Sequence, residues 1–173
     1  MRKLAILLLP LVLAACAAGD VPATPSPVPP VTIPPPPTLT FGGKCDNTHE
    51  LESWLQTTSM LLSDFQTQMN QAAAQNRNEA SVTVVGLSKL RDSAYEVAAP
   101  DCAADLQLKM SDAMNKAVAV LEKFANGGDA DVGATVAEVN TEIDTVSAAQ
   151  KDLMKRMDTQ YQNQALTPSA PPG

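Results

Sequence analysis

The side chains best suited to binding chemistry in this sequence are thioethers. Met110 and Met114 stand one helical turn apart, Met154 and Met157 lie close together later in the chain, and Met60 and Met69 precede both pairs. Thioethers are soft ligands that suit Cu(I). At helical spacing, methionine also fills gaps in a core built of alanine and valine. Met110, Met114 and Met157 fall on expected core faces, so packing is the expected role and Cu(I) binding the alternative. One histidine occurs, His49. Asp46-x-x-His49 has ligand-like spacing but no convergent third ligand, and a histidine at a helix start is expected to be solvated. A single histidine excludes paired Glu-x-x-His motifs on two helices. There is no Cys-x-x-Cys-His for haem attachment and no glycine-rich phosphate loop. The carboxylate pairs Glu138/Glu142 and Asp101/Asp105 are each one turn apart. Such pairs could hold calcium weakly, but they are expected to be solvated helix faces, with Glu138, Glu142 and Asp144 towards water. No catalytic constellation follows, no cofactor is implied, and the expected role is non-enzymatic.

Cysteine chemistry is more informative. The chain opens with Arg2 and Lys3, then an apolar run from Leu4 to Ala15 broken by Pro10. Twelve residues are too few for a membrane-spanning helix, which needs roughly 20, so residues 1–15 read as a secretory signal peptide. Leu13-Ala14-Ala15-Cys16 resembles the lipobox of bacterial membrane lipoproteins: an aliphatic residue and two small ones before a cysteine. The resemblance covers only this N-terminal stretch. It implies that the Cys16 thiol takes a diacylglyceryl group, that a peptidase cuts before Cys16, and that the new amino group is often acylated. Two or three acyl chains give stable anchoring, since each buried CH₂ contributes about 0.8 kcal/mol and one chain is marginal. Ala17 follows the cysteine, where an aspartate would favour the inner membrane of a two-membrane cell. The expected location is the cell envelope: the outer membrane if there are two, otherwise the outer face of the plasma membrane.

Composition narrows the partners. Cleavage removes Arg2 and Lys3 and leaves ten basic against nineteen acidic side chains, a formal charge of −9. That balance argues against nucleic acid and against electrostatic attachment to anionic lipid. The six aromatics, Phe41, Trp54, Phe65, Tyr95, Phe124 and Tyr161, are scattered rather than grouped as a stacking platform. With Cys16 assigned to lipid, Cys45 and Cys102 remain. An even pair in an exported protein most often forms a disulfide.

The elements that must position these residues follow from periodicity. Residues 16–43 are rich in Pro, Thr, Val and Ser, with Pro34 to Pro37 consecutive. Proline fixes φ and removes the backbone donor, so a disordered, extended polyproline II tether is expected. Ala17 to Lys44 could then hold the folded part up to roughly 80 Å from the lipid. Phe41-Gly42-Gly43 reads as a hinge. A capping box, Asn47 with Glu50, opens a first helix. Its stripe is Leu51, Leu55, Leu62, Phe65, Met69 and Ala72, with Thr58 as a polar intruder, and it ends near Gln75. Asn76 and Glu79 could box a second helix with Ala80, Val84, Leu87, Leu90, Ala94 and Val97 on one face. Val82-Thr83-Val84-Val85-Gly86 leaves a short strand as its rival. Pro100 ends it, and Asp101 is the expected N-cap of a third helix. There Ala103, Leu106, Met110, Ala113, Ala117, Val120 and Phe124 repeat at three and four up to Gly127-Gly128. A fourth helix spans about Asp129 to Gln162, with Gln150 occupying one seam position, where a polar residue can fix register.

Four such helices with short connections predict an all-α, antiparallel up-down-up-down four-helix bundle over residues 44–165, with residues 166–173 a disordered tail. In that order the first and third helices start at one end, which brings Cys45 beside Cys102. The expectation is a lipid-anchored interaction or structural domain. Its partner would be an envelope or extracellular protein. The alternative is a small-ligand or Cu(I) carrier.

Overall fold

A computed structural model describes residues 29–45 and 47–165. Among them four helices are formed: α1 (Thr48–Ala73), α2 (Arg77–Glu96), α3 (Ala104–Ala125) and α4 (Val132–Ala165). No strand is formed among the described residues. Each helix packs on its sequence neighbours, and α4 returns to α1, which closes an up-down-up-down bundle. Cross-helix bonds fix the antiparallel order. Gln66 on α1 meets Asn140 early on α4, whereas Thr58, nearer the start of α1, meets Gln150 late on α4.

The spacing of apolar residues accounts for the core. Leu51, Leu55, Leu62, Phe65, Met69 and Ala72 of α1 are all buried. Val136, Val139, Ile143 and Val146 of α4 meet Leu62, Phe65, Met69 and Ala72 of that stripe, together with Met110, Ala113, Met114, Ala117 and Leu121 of α3. Burying each of the larger side chains contributes about 1.5–3 kcal/mol.

Helix α2 runs unbroken through the Val-rich stretch, so the strand alternative is not realised. Asn76 and Glu79 close a full capping box, which satisfies two of the helix's orphan N–H groups. At Gly86 a Cβ would stand 3.0 Å from Gln68 Oε1 of α1, the end of a flexible side chain.

Three expected boundaries shift. Helix α1 ends at Ala73, and α4 begins at Val132 with Asp131 Oδ1 accepting from Ala134 N. Asp101 opens a 3₁₀ turn (Asp101–Ala103) ahead of α3 and makes no side-chain cap.

The core is divided. A large cluster occupies most of the bundle, and a smaller one, Leu51, Trp54, Leu55, Ala99, Ala103 and Met157, fills the end where α1 and α3 start. Between them runs a buried chain of hydrogen bonds through all four helices. Gln150 Nε2 donates to Thr58 Oγ1 (2.9 Å), which donates to Trp54 O (2.7 Å). Trp54 Nε1 donates to Gln107 Oε1 (3.0 Å), and Gln107 Nε2 donates to Ala94 O (2.6 Å). Every member is partnered, which is the condition for a buried polar layer to be tolerated.

Candidate functional site

Cys16 lies outside the described residues, as do the rest of the signal segment, Ala17 to Val28 of the expected tether, Asp46, and the 166–173 tail. The other cysteines meet as the helix order requires. Cys45, before α1, is disulfide-bonded to Cys102, in the 3₁₀ turn before α3, with Cα atoms 5.7 Å apart. Both residues are exposed.

The methionines do not converge. Met110 and Met114 are fully buried in the large cluster, Met157 packs in the small one, and Met154 is on the surface at 42% exposure. Their placement is that of core filler with one surface outlier. Met60 is exposed and Met69 buried.

His49 is exposed in the first turn of α1. It lines an open cavity of about 570 Å³ with Gly42, Gly43, Glu50, Ser53 and Trp54. Among the described residues, no group of three or more His, Cys, Asp and Glu is placed to hold a metal ion.

One carboxylate of α4 corrects an expectation. Glu138 and Asp144 are exposed, as expected, but Glu142 is half-buried and does not simply face water, because Lys116 of α3 sits against it. Its Nζ lies 2.6 Å from Glu142, 3.5 Å from Glu138 and 3.4 Å from Asp112. The hydrogen bond to Glu142 is the main cause that holds the Lys116 ammonium above the ordinary lysine range, against a smaller opposing effect of desolvation. Asp144 accepts a long bond from Gln66 of α1 at 3.4 Å. These charges tie α4 to α3 and α1. Asp101 and Asp105 are exposed, as expected.

The largest departure concerns the proline-rich segment. Residues 31–43, expected to be free tether, lie along α2, α3 and the connection between them. Asn126, just after α3, grips the backbone of Val31 on both sides: Val31 N donates to Oδ1 (2.8 Å) and Nδ2 donates to Val31 O (2.7 Å). Ile33 N donates to Glu122 Oε1 (3.0 Å). Arg91 of α2 donates from Nη2 to Pro34 O (3.0 Å). At the far end, Ala99 N donates to Thr40 O (3.1 Å) and Gly42 N donates to Ala99 O (3.0 Å), which makes a single parallel bridge. Asp101 N then donates to Gly43 O (3.3 Å), with Gly43 at φ +102°, a conformation that suits glycine. Neither this strap nor the role of Arg91 is signalled by the sequence pattern. That arginine is 4% exposed, with Asp92 as its ion-pair partner at 2.7 Å.

The side chains of the strap match its backbone. Ile33, Pro36 and Leu39 are half-buried, while Thr32, Pro34, Pro35, Pro37 and Thr38 are exposed. A spacing of three is the repeat of polyproline II, so one edge of that helix faces the bundle. Ile33 packs against the large core cluster. Its neighbours 34–37 have no N–H to satisfy, so the donors left to pair in this stretch are those before Pro34, where Asn126 and Glu122 are found.

Compared with protein-family models, with curated proteins and with solved structures, the chain matches none.

Proposed function

We propose that the chain is a membrane-anchored lipoprotein of the cell envelope whose helical bundle is a non-catalytic interaction domain. The observation that carries this reading is Leu13-Ala14-Ala15-Cys16 at the end of a short apolar run opened by Arg2 and Lys3. Attachment through acyl chains at Cys16 would need no transmembrane helix. Among the described residues, no helix is long and apolar enough to cross a membrane. The disulfide between Cys45 and Cys102 fits an oxidising compartment outside the cytoplasm. The acidic balance of the chain favours a protein partner over nucleic acid. Ala17, rather than aspartate, after the lipid site favours the outer membrane where a cell has two.

The test is metabolic labelling of the full chain in a bacterial host with a radioactive fatty acid. The wild type is expected to take up label and to stay with membranes after alkaline washing. Cys16→Ser is expected to take up none and to leave them. Label retained in Cys16→Ser, or none in the wild type, would overturn the anchor.

A further inference from the structure

The side chains that hold the strap read its backbone and its threefold edge. Asn126 bonds both the N–H and the C=O of Val31, Glu122 takes the Ile33 N–H, and Arg91 reaches the Pro34 carbonyl. An aliphatic edge at Ile33, Pro36 and Leu39 faces the bundle. Recognition of proline-rich segments works in this way: a pre-extended helix loses little entropy on ordering, and carbonyls without neighbouring N–H groups wait for donors. Arg91 is nearly buried in α2, where burying its charge is costly without partners, and Asp92 and the strap carbonyl partner its Nε and Nη2. None of these contacts depends on the strap belonging to the same molecule. Gly42 and Gly43 are themselves bonded to Ala99 and Asp101, so exchange of the segment replaces those bonds as well, while Cys45 stays fixed to Cys102.

We propose that the seam of α2 and α3 marked by Arg91, Glu122 and Asn126 is a polyproline-recognition site. It holds residues 31–43 in cis, and it takes the same segment from a second copy of this chain when copies are crowded. The occupant is a second copy because the sequence that demonstrably fits the seam is the chain's own. Exchange of an identical element between protomers is also an accessible route to a dimer, since it reuses contacts already made within one chain. Anchoring on one membrane, as proposed above, would supply the crowding; the functional sense of the exchange rests on that reading, but the binding itself does not.

Two forms of the mature chain, both carrying Cys16→Ser so that lipid plays no part, test this. The acceptor has Ile33→Ser, Pro36→Ser and Leu39→Ser, which spoils its strap and leaves its seam. The donor has Arg91→Ala and Asn126→Ala, which spoils its seam and leaves its strap. Light scattering is expected to find each alone monomeric and the concentrated mixture dimeric. A fluorescent peptide of residues 29–41 is expected to bind the acceptor saturably. It should bind the chain with an intact strap about ten-fold more weakly or worse, and adding Arg91→Ala to the acceptor should cost about ten-fold. Helicity and the disulfide mass report whether each form is folded. If the acceptor does not fold, the peptide is titrated onto the chain with an intact strap, and NMR shifts at the Asn126 side-chain amide are followed. No saturable binding to folded protein, or binding indifferent to Arg91→Ala, overturns the recognition site. Peptide binding with a monomeric mixture overturns the second copy as occupant. Because lipid is absent throughout, neither result bears on the anchor, which the labelling experiment decides separately.

Discussion

Gln150 Nε2 donates to Thr58 Oγ1 at 2.9 Å inside the bundle, so the polar residue in the α4 seam meets the polar residue in the α1 stripe. Each interrupts an apolar face in sequence, and together they sit between the two core clusters. A register slip of one turn would leave both buried and unpaired, at about 1–3 kcal/mol for each group. The pair therefore favours one alignment of α1 against α4. Gln150→Leu and Thr58→Val made together are expected to destabilise by less than the sum of the single changes, with a coupling of about 1 kcal/mol by denaturant unfolding. Additive losses would mean that the two side chains do not act as a pair.

Gln107 has the more exacting position, since it serves Trp54 of α1 and Ala94 of α2 at once. Gln107→Leu strands an indole N–H and a carbonyl in the interior. The expected loss is about 2–4 kcal/mol of unfolding free energy. A loss under ~0.5 kcal/mol would show that water or a local shift supplies the missing bonds.

The disulfide joins residues 57 apart in sequence, at the end of the bundle occupied by the smaller core cluster. On the chain-entropy account it contributes about 4 kcal/mol. Cys45→Ser with Cys102→Ser is expected to lower stability by that order while leaving the helical signal at low temperature unchanged. Because both cysteines are exposed, mild reductant should have the same effect without unfolding the protein first.

Lys116 bears on pH dependence. Its folded pKa is raised, chiefly by the hydrogen bond to Glu142, so the stability it contributes is fully present below the unfolded lysine value of 10.5. That contribution is lost as pH rises past this value and through the higher folded one. The stability difference between wild type and Lys116→Met is expected to hold steady from pH 7 to about 10 and to narrow only above it. Narrowing near neutrality would contradict the assignment of the shift to this cluster.

Much of the fold was legible because amphipathic helices in a bundle announce themselves by spacing. The α1 stripe at Leu51, Leu55, Leu62, Phe65 and Met69 is buried as read, and the cysteines tested the helix order independently of that stripe. The strap was not legible by the same means. Ile33, Pro36 and Leu39 repeat every three residues, a period that belongs to neither helix nor strand, and proline-rich composition ordinarily signals a free linker. Its anchors were hidden for a related reason. Arg91 stands beside Leu87, Leu90 and Ala94 on α2, where a charge reads as the edge of a solvated face; the ion pair with Asp92 and the bound Pro34 carbonyl together account for its burial. Glu142 reads as part of a solvated face because Lys116, its partner, lies on another helix at a separation that no local pattern reveals.

The anchor is the claim on which the functional reading depends, and the intact mass of the mature protein, extracted from membranes of an expressing bacterium with detergent and no reductant, tests it most directly. The expected mass is that of a chain beginning at Cys16, increased by a diacylglyceryl group, often with a further acyl chain, and rising by two hydrogens on reduction as Cys45 and Cys102 separate. A chain that begins elsewhere with no lipid, or that keeps residues 1–15, would contradict the account.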